Sequence, residues 1–393
     1  MFLINETALA GACLAAGAMQ LAHTAGFVLS LRSQAGRSGA AGPPFPSVCV
    51  ILAAKGVMGP FESNIRSLLG QDYPGQVDYL FVTPTRADPA YAAIERLLAA
   101  QAGLRSRLVF SDETPVRCCG KIVDLLYALR VAPPASDILV FVDCDVRVAT
   151  DWLRHLVAPL QDPRAVAAVT HAVYVPFKAD ALQLLRLACS AFIASSMYLG
   201  RVVAGWSWAI RRQDFERLRI PEVWSRRLID DTCLDEVFAR DGRSVRWAAL
   251  AAPAFFDDCD LVNLQRNCNK AFLYLRTYDP PVWSLMALAV LGTTCLVAGC
   301  LVGHAKWRLL GLVLGINMAN IYIIFAALRR YVPGQMRGAH PAFRNYPVLA
   351  ALCAPAVLLV FLVALGNSLV SRTVRWGGRV YRIHAPDRIE IVA

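Results

Sequence analysis

Three pairs of aspartates are the residues of this chain best suited to chemistry. The first closes the run Ile138-Leu-Val-Phe-Val-Asp143-Cys-Asp145-Val-Arg147. Two carboxylates at i and i+2 there leave a buried strand at the edge of a sheet, where a turn can aim both at one ligand. One would meet a ribose or diphosphate and the other a divalent cation; Mg²⁺ and Mn²⁺ take oxygen ligands and neutralise a departing nucleoside diphosphate. The second pair stands in Leu228-Ile-Asp230-Asp231-Thr-Cys-Leu-Asp235-Glu236. Acids before a helical stretch are natural N-caps, but adjacent acids also raise one another's pKa, which suits one of them to accept a proton from a hydroxyl. Asp257 and Asp258 form the third pair, which fits loop solvation and an additional metal contact about equally.

The elements that must position these acids are legible between Ser47 and Asp279. Ser47 to Ala54, Val77 to Thr83 and Asp137 to Asp143 are short apolar runs of strand type, separated by helical stretches at Phe61 to Leu69, Pro89 to Ala102 and Lys121 to Arg130. Strands alternating with helices predict an α/β domain on a mainly parallel sheet, with its ligand site beyond the strand C-termini. Two reaction classes fit the acids in that setting. A phosphohydrolase of the haloacid-dehalogenase type pairs a strand-end DxDx[T/V] with a lysine and later acids, but Arg147 stands at the Thr/Val position and the motif comes very late in the fold. Nucleotide-sugar transfer is the other class, and the rest of the chain favours it.

Of the 393 residues, 56% are hydrophobic and 18% charged, too apolar for an ordinary soluble enzyme. Residues 7 to 31, 284 to 303, 309 to 328 and 348 to 370 are uncharged stretches of bilayer length. The first has Glu6 before it and Arg32 and Arg37 after it, the charge order of an uncleaved anchor. Asn317 and Asn320 within the third are expected to bond to a neighbouring helix. The run from Ala181 to Ile210 contains Arg186 and is expected as an interfacial or buried helix, with Trp206 and Trp208 near the membrane surface or the acceptor. Much of the +11 net charge is arginine that flanks these segments, and with no helix-turn-helix, zinc-finger or aromatic RNA-binding signature, nucleic acid is not expected as a partner. Twelve cysteines without a CxxC pair read as reduced, small apolar residues. Four full spans would put the arginine-rich tail on the far side from the domain, against the positive-inside rule, unless one segment is re-entrant.

A series of ordered motifs resembles ceramide glucosyltransferase and the related membrane members of glycosyltransferase families 2 and 21. They are Ser47 to Gly56 with its Lys55-Gly56, Gln71-Asp-Tyr-Pro74, Ala87-Asp88-Pro89, Gly120-Lys121, the Asp143/Asp145 pair, Tyr278 to Trp283 and the tail from Trp376 to Arg382. The resemblance implies a GT-A nucleotide-binding fold in which Asp88, Lys121, Asp143 and Asp145 hold the donor, the last two through Mg²⁺ or Mn²⁺. It implies Asp231 as general base, with His171, Trp206, Trp208 and Asp230 in the acceptor region. One motif departs. Where the family has QxxRW, this chain reads Asn267-Cys-Asn-Lys270-Ala271, so Lys270 keeps the positive charge on the donor diphosphate but loses the planar fork, and the aromatic is gone.

The resulting expectation is an anchor at residues 1–31, a linker at 32–46, a GT-A domain at 47–280, membrane helices at 281–370 and a basic tail at 371–393. Its activity would be the inverting transfer of a sugar from a UDP-sugar, UDP-glucose first among them, to a membrane lipid hydroxyl such as that of ceramide. The expected location is a bacterial cytoplasmic membrane, with the catalytic domain facing the cytosol. A processive polysaccharide synthase is the alternative within the class; the departures at Lys270 and Ala271 also admit a degenerate relative that serves as a membrane binding or scaffold protein.

Overall fold

The computed structural model describes residues 6–36, 43–101, 103–200, 202–302, 307–332 and 346–392. In chain order, α1 (Glu6–Gly36) is followed by β1 (Val48–Ala53), α2 (Phe61–Leu69), β2 (Val77–Thr83), α3 (Pro89–Ala99), β3 (Ser106–Phe110), α4 (Gly120–Val131), β4 (Ile138–Val142) and β5 (Val146–Arg147). Next come α5 (Trp152–Val157), β6 (Ala165–Val169), β7 (Val173–Val175), α6 (Ala181–Gly200), β8 (Ser207–Arg211), α7 (Arg212–Arg217), α8 (Ile220–Trp224), α9 (Asp235–Asp241), β9 (Ser244–Trp247) and β10 (Ala254–Phe256). The chain ends with α10 (Leu261–Tyr278), α11 (Pro280–Val302), α12 (Trp307–Tyr331), α13 (Tyr346–Leu352), α14 (Ala354–Val370), β11 (Thr373–Trp376), β12 (Arg379–Ala385) and β13 (Arg388–Ile391).

The central sheet has the strand order β3-β2-β1-β4-β8-β6-β9. Its first four strands are parallel, while β8 runs antiparallel between β4 and β6. The unbroken apolar sequences of β1 and β4, and the largely apolar one of β2, follow from burial on both faces. Alternate residues feed two cores: Ile51, Leu80, Val82, Leu139 and Phe141 face one, and Val50, Leu52, Tyr79, Phe81 and Val140 the other. Each such side chain contributes about 1.5–3 kcal/mol by burial. Parallel β1, β2 and β4 all end on one edge, and the loops there carry Lys55, Asp88 and the Asp143/Asp145 pair.

Among the described residues, three helices are long and apolar enough to cross a membrane: α1 from Ala10, α11 up to Leu301, and α12. Thr24 Oγ1 donates to Asn320 Oδ1 at 2.8 Å, and Asn320 Nδ2 to Gln20 Oε1 at 3.0 Å, so Asn320 joins α12 to α1 as its sequence suggested. Asn317 instead bonds the Val313 carbonyl of its own helix. The apolar part of α6, Ala181–Ser195, is too short to span.

The fourth apolar segment does not form a straight span. It breaks into α13 and α14, which meet at 58°. The amphipathic α10 of the catalytic domain and α14 lie side by side: Gln265 Nε2 donates to the Val360 carbonyl at 3.1 Å, the Phe272 and Phe361 rings are 5.5 Å apart, and Arg276 binds the Ser368 carbonyl. Trp283 at the start of α11 donates to Ser368 Oγ at 3.1 Å, so α14 ends where α11 begins. The residues beyond it form a three-stranded antiparallel sheet, β11-β12-β13, rather than an extended tail. This sheet docks on the catalytic domain: Tyr381 is buried beside Ile122 and Tyr278, and Lys55 Nζ donates to the Gly377 carbonyl at 2.7 Å. Tail and domain therefore share one side. The bent pair α13 and α14 fits a broken span or a re-entrant loop, and a re-entrant loop would keep the arginine-rich tail on the domain's side, as the positive-inside rule asks.

Candidate functional site

β4 delivers Asp143, and the turn into β5 delivers Asp145. Lys121, one residue into α4, crosses to meet them: its Nζ lies 2.6 Å from Asp143 Oδ1 and 2.9 Å from Asp230 Oδ2. Burial alone would push that ammonium's pKa down, but Asp143 and Asp230 hold it well above its ordinary value. Asp231 turns the other way. Its Oδ2 accepts the Gly205 N–H at 2.7 Å and its Oδ1 the Thr232 N–H at 2.6 Å. Burial, reinforced by the neighbouring Asp230 charge, raises Asp231 to about 6. A carboxylate so poised is ionised at neutral pH yet basic enough to take a proton.

Gly205 is the residue that lets these groups converge. A β-carbon there would lie 3.1 Å from Asp231 Oδ2, 3.3 Å from Lys121 Nζ and 3.5 Å from Asp143 Oδ2. The space a side chain would need is taken by two acids and a cation. The sequence alone does not mark this glycine, because the crowding arises from residues 62 or more positions upstream and 26 downstream.

A cavity of about 430 Å³ opens beside this network. Asp143, Asp145, Asp231 and Lys270 line one part of it, and Met286 of α11 and Phe361 of α14 another. Asp145 Oδ1 is buried there without a hydrogen-bond partner, and burial followed by the Asp143 charge raises this acid to about 7. Lys270 makes no ion pair among the described residues; burial lowers its pKa, and the charges of Asp145 and Asp231 act against that. Asn267 and Ala271 also line the cavity, so the missing aromatic of the QxxRW pattern leaves room rather than a wall. His171 lies in the wall, stacked on Trp247, whose Nε1 donates to His171 Nδ1 at 3.3 Å. Burial lowers His171 to about 4, so the ring is neutral and its Nε2, buried and unpartnered, carries the hydrogen.

The acids of the cavity suit a hard divalent cation: carboxylate oxygens, one of them an orphan. Among the described residues no group of three potential ligands exists, so two carboxylates would need diphosphate oxygens to complete the shell. The third acidic pair is committed elsewhere, Asp257 to Arg186 at 2.9 Å and Asp258 to the N–H groups of Phe177 and Lys178. Arg147, beyond the DxD, reaches Ser63 and covers the Phe256 ring.

Of the residues expected from sequence, Asp143, Asp145, Asp231, Lys270, His171 and Trp206 share the cavity. Lys121 and Asp230 stand behind it. For Asp230 this is a correction: its carboxylate is spent on Lys121, and it does not line the cavity. Trp208 is a second correction. It is fully buried within β8, stacked 4.6 Å from Phe141 and edge-on to Trp224, and does not line the cavity. Asp88 lies further along the strand edge, outside the cavity, where its Oδ1 caps α3 through Ala90 N at 2.9 Å and holds the Gly56 N–H at 2.8 Å.

No curated protein sequence matches this chain. Among solved structures, a mannosyltransferase from Pyrobaculum calidifontis in complex with GDP-Man and Mn²⁺ superposes with a TM-score of 0.50 at 18% identity, over 92% of this chain and 99% of that one. Glucosyl-3-phosphoglycerate synthase from Mycobacterium tuberculosis, in complex with Mn²⁺ and UDP-glucose, aligns over 58% of this chain and 78% of its own, with 18% identity and a TM-score of 0.37. The first likeness is one of fold, and the fold is GT-A. The family pattern is more specific, because it runs from the membrane anchor through the aspartates to the docked tail: residues 7–389 match glycosyl transferase family 21, and the chain belongs to that family of glycosyltransferases.

Proposed function

We propose that the protein transfers a sugar, with inversion, from a UDP-sugar to the hydroxyl of a membrane lipid. UDP-glucose and a ceramide-type acceptor are the first candidates through the resemblance of the motifs. The observation that supports this reading is the single cavity, which has Asp143, Asp145, Asp231 and Lys270 on one wall and residues of the apolar helices α11 and α14 on another. An amphiphilic acceptor suits such a site: its chains contact the apolar wall while its hydroxyl reaches the acids.

In this mechanism the Asp231 carboxylate removes the acceptor proton as the hydroxyl oxygen attacks the anomeric carbon. The bond from that carbon to the donor's β-phosphate oxygen breaks, and its electron pair leaves with UDP. The backbone N–H groups of Gly205 and Thr232 fix the base, and Lys121 keeps Asp143 and Asp230 from repelling it. Lys270 places positive charge beside the leaving diphosphate. Mg²⁺ or Mn²⁺ held by Asp143 and Asp145 would supply further neutralisation of the diphosphate. Lysine in place of the expected arginine keeps the charge without the bidentate geometry, and Ala271 widens the acceptor side.

The arginines of the docked tail fall on the same side as the catalytic domain, which supports a cytosolic face. In nanodiscs with Mn²⁺, UDP-sugars and candidate lipids, the wild type should release UDP and form a glycolipid. Asp231→Asn should lower turnover about 10²–10⁴-fold while UDP still binds. Turnover that survives this substitution would sink the assignment of the base; no turnover with any donor would sink the function.

A further inference from the structure

The loop after β1 is held from two sides. Asp88 accepts the Gly56 N–H, and Lys55 Nζ donates 2.7 Å to the carbonyl of Gly377, 322 residues away. Gly377 and Gly378 have φ of +56° and +79°, a conformation open to glycine and costly for other residues, and they make the tight turn between β11 and β12. The turn sets Arg379 against the start of α4. Its Nη1 lies 3.2 Å from the place a β-carbon on Gly120 would occupy, one residue from the lysine that grips Asp143. Arg379 lies near the Tyr381 hydroxyl and acts on it electrostatically, and that hydroxyl accepts the Gly120 N–H at 3.5 Å.

The charges here do not cancel by contact. Asp88 is occupied by two backbone N–H groups, Asp143 by Lys121, and Asp124 by Ser111 Oγ at 2.5 Å. Lys55 and Arg379 both influence Asp124, yet among the described residues neither forms an ion pair. Two cations without carboxylate partners thus stand at the C-terminal edge of the parallel strands, near Asp124 and the loop that Asp88 holds. Their arrangement suits a dianionic group lying at that edge, where Arg379 stands beside Gly120, one residue from the lysine that grips Asp143.

We propose that the Gly377–Arg379 turn is part of the donor site and that Arg379 contacts the diphosphate of the bound nucleotide. The inference rests on the reading of a nucleoside-diphosphate-sugar donor and deepens it. The tail then does more than brace the domain: a segment after the last membrane helix contributes a guanidinium, whose fork geometry matches phosphate oxygens. It also gives Lys55 a role, holding that turn in place through Gly377.

The test uses the full chain in nanodiscs with Mn²⁺. Binding of UDP and GDP is measured by calorimetry, and binding of uridine and guanosine by ligand-observed NMR, which reads millimolar affinities. Arg379→Ala should weaken the diphosphate that binds by about tenfold or more, leave the matching nucleoside unchanged, and preserve the melting temperature. Arg379→Lys should recover part of the loss. Unchanged diphosphate affinity in Arg379→Ala overturns the inference, as does a parallel loss of nucleoside and diphosphate, which would mark Arg379 as a brace for the turn. A wild type that binds none of the four overturns the donor reading itself and the inference with it, an outcome distinct from the other two.

Discussion

Replacing Gly205 by alanine tests whether the convergence of Asp231, Lys121 and Asp143 is required for turnover. The added methyl would meet Asp231 Oδ2 at 3.1 Å and Lys121 Nζ at 3.3 Å, against an ordinary contact of about 3.5 Å, so the base must retreat by about 0.4 Å. A misplacement of about 1 Å costs on the order of 10²-fold, and on a logarithmic scale 0.4 Å costs about sixfold. Displacing Lys121 as well loosens its 2.6 Å contact with Asp143, which carries the expectation to about ten- to thirtyfold in kcat. Folding should change little, because alanine's smaller unfolded-state entropy, worth about 0.4–1 kcal/mol, offsets part of the crowding. The assay is UDP release under saturating donor and lipid, paired with a melting curve of each protein. Full kcat in Gly205→Ala would refute the claim that the acids are held at close tolerance, and a collapsed melting curve would show that the glycine serves packing instead.

Three further outcomes follow, two from the same network and one from the docked tail. Asp231 works as a base only when ionised and sits at about 6, so kcat/KM at saturating Mn²⁺ should be flat above pH 6 and fall about tenfold per unit below it; limiting Mn²⁺ should add a second proton near pH 7, where Asp145 titrates, and a flat profile down to pH 5 would contradict both. Lys121→Met strands Asp230, 4% exposed, and Asp143 without their cation, so stability should fall by about 3–5 kcal/mol in chemical denaturation, with partial recovery on adding Asp230→Asn; a double variant as unstable as the single one would contradict the pairing. Tags placed after residue 392 and in the loop at 112–117 should be digested together or protected together in sealed vesicles, because the docked tail shares the domain's side; opposite protection would refute the re-entrant α13 and α14.

Strands β1, β2 and β4 of the catalytic domain were open to sequence reading because parallel central strands are apolar at nearly every position. Asp143 and Asp145 were visible because their run stops abruptly at two acids. The membrane segments were visible by length and lack of charge. The fourth was visible as an apolar segment, but hydropathy measures composition and does not sense its 58° bend or the pairing of α14 with α10.

What the sequence by itself determined is the chemistry available: which residues are acids, that they end strands, and that apolar helices accompany them. Tertiary structure decided what each acid does. Asp230 and Asp231 are neighbours of identical type, yet one is neutralised by Lys121 while the other is held by two backbone N–H groups beside the cavity. Trp206, in the turn just before β8, lines the cavity, whereas Trp208, within β8, is buried against Phe141. Gly205 matters for the side chain it lacks, and Arg379 for a turn that brings residue 377 to residue 55. Such assignments depend on separations of a few ångströms between residues tens or hundreds apart in the chain, and those distances exist only once the sheet, α10 and the docked tail have packed.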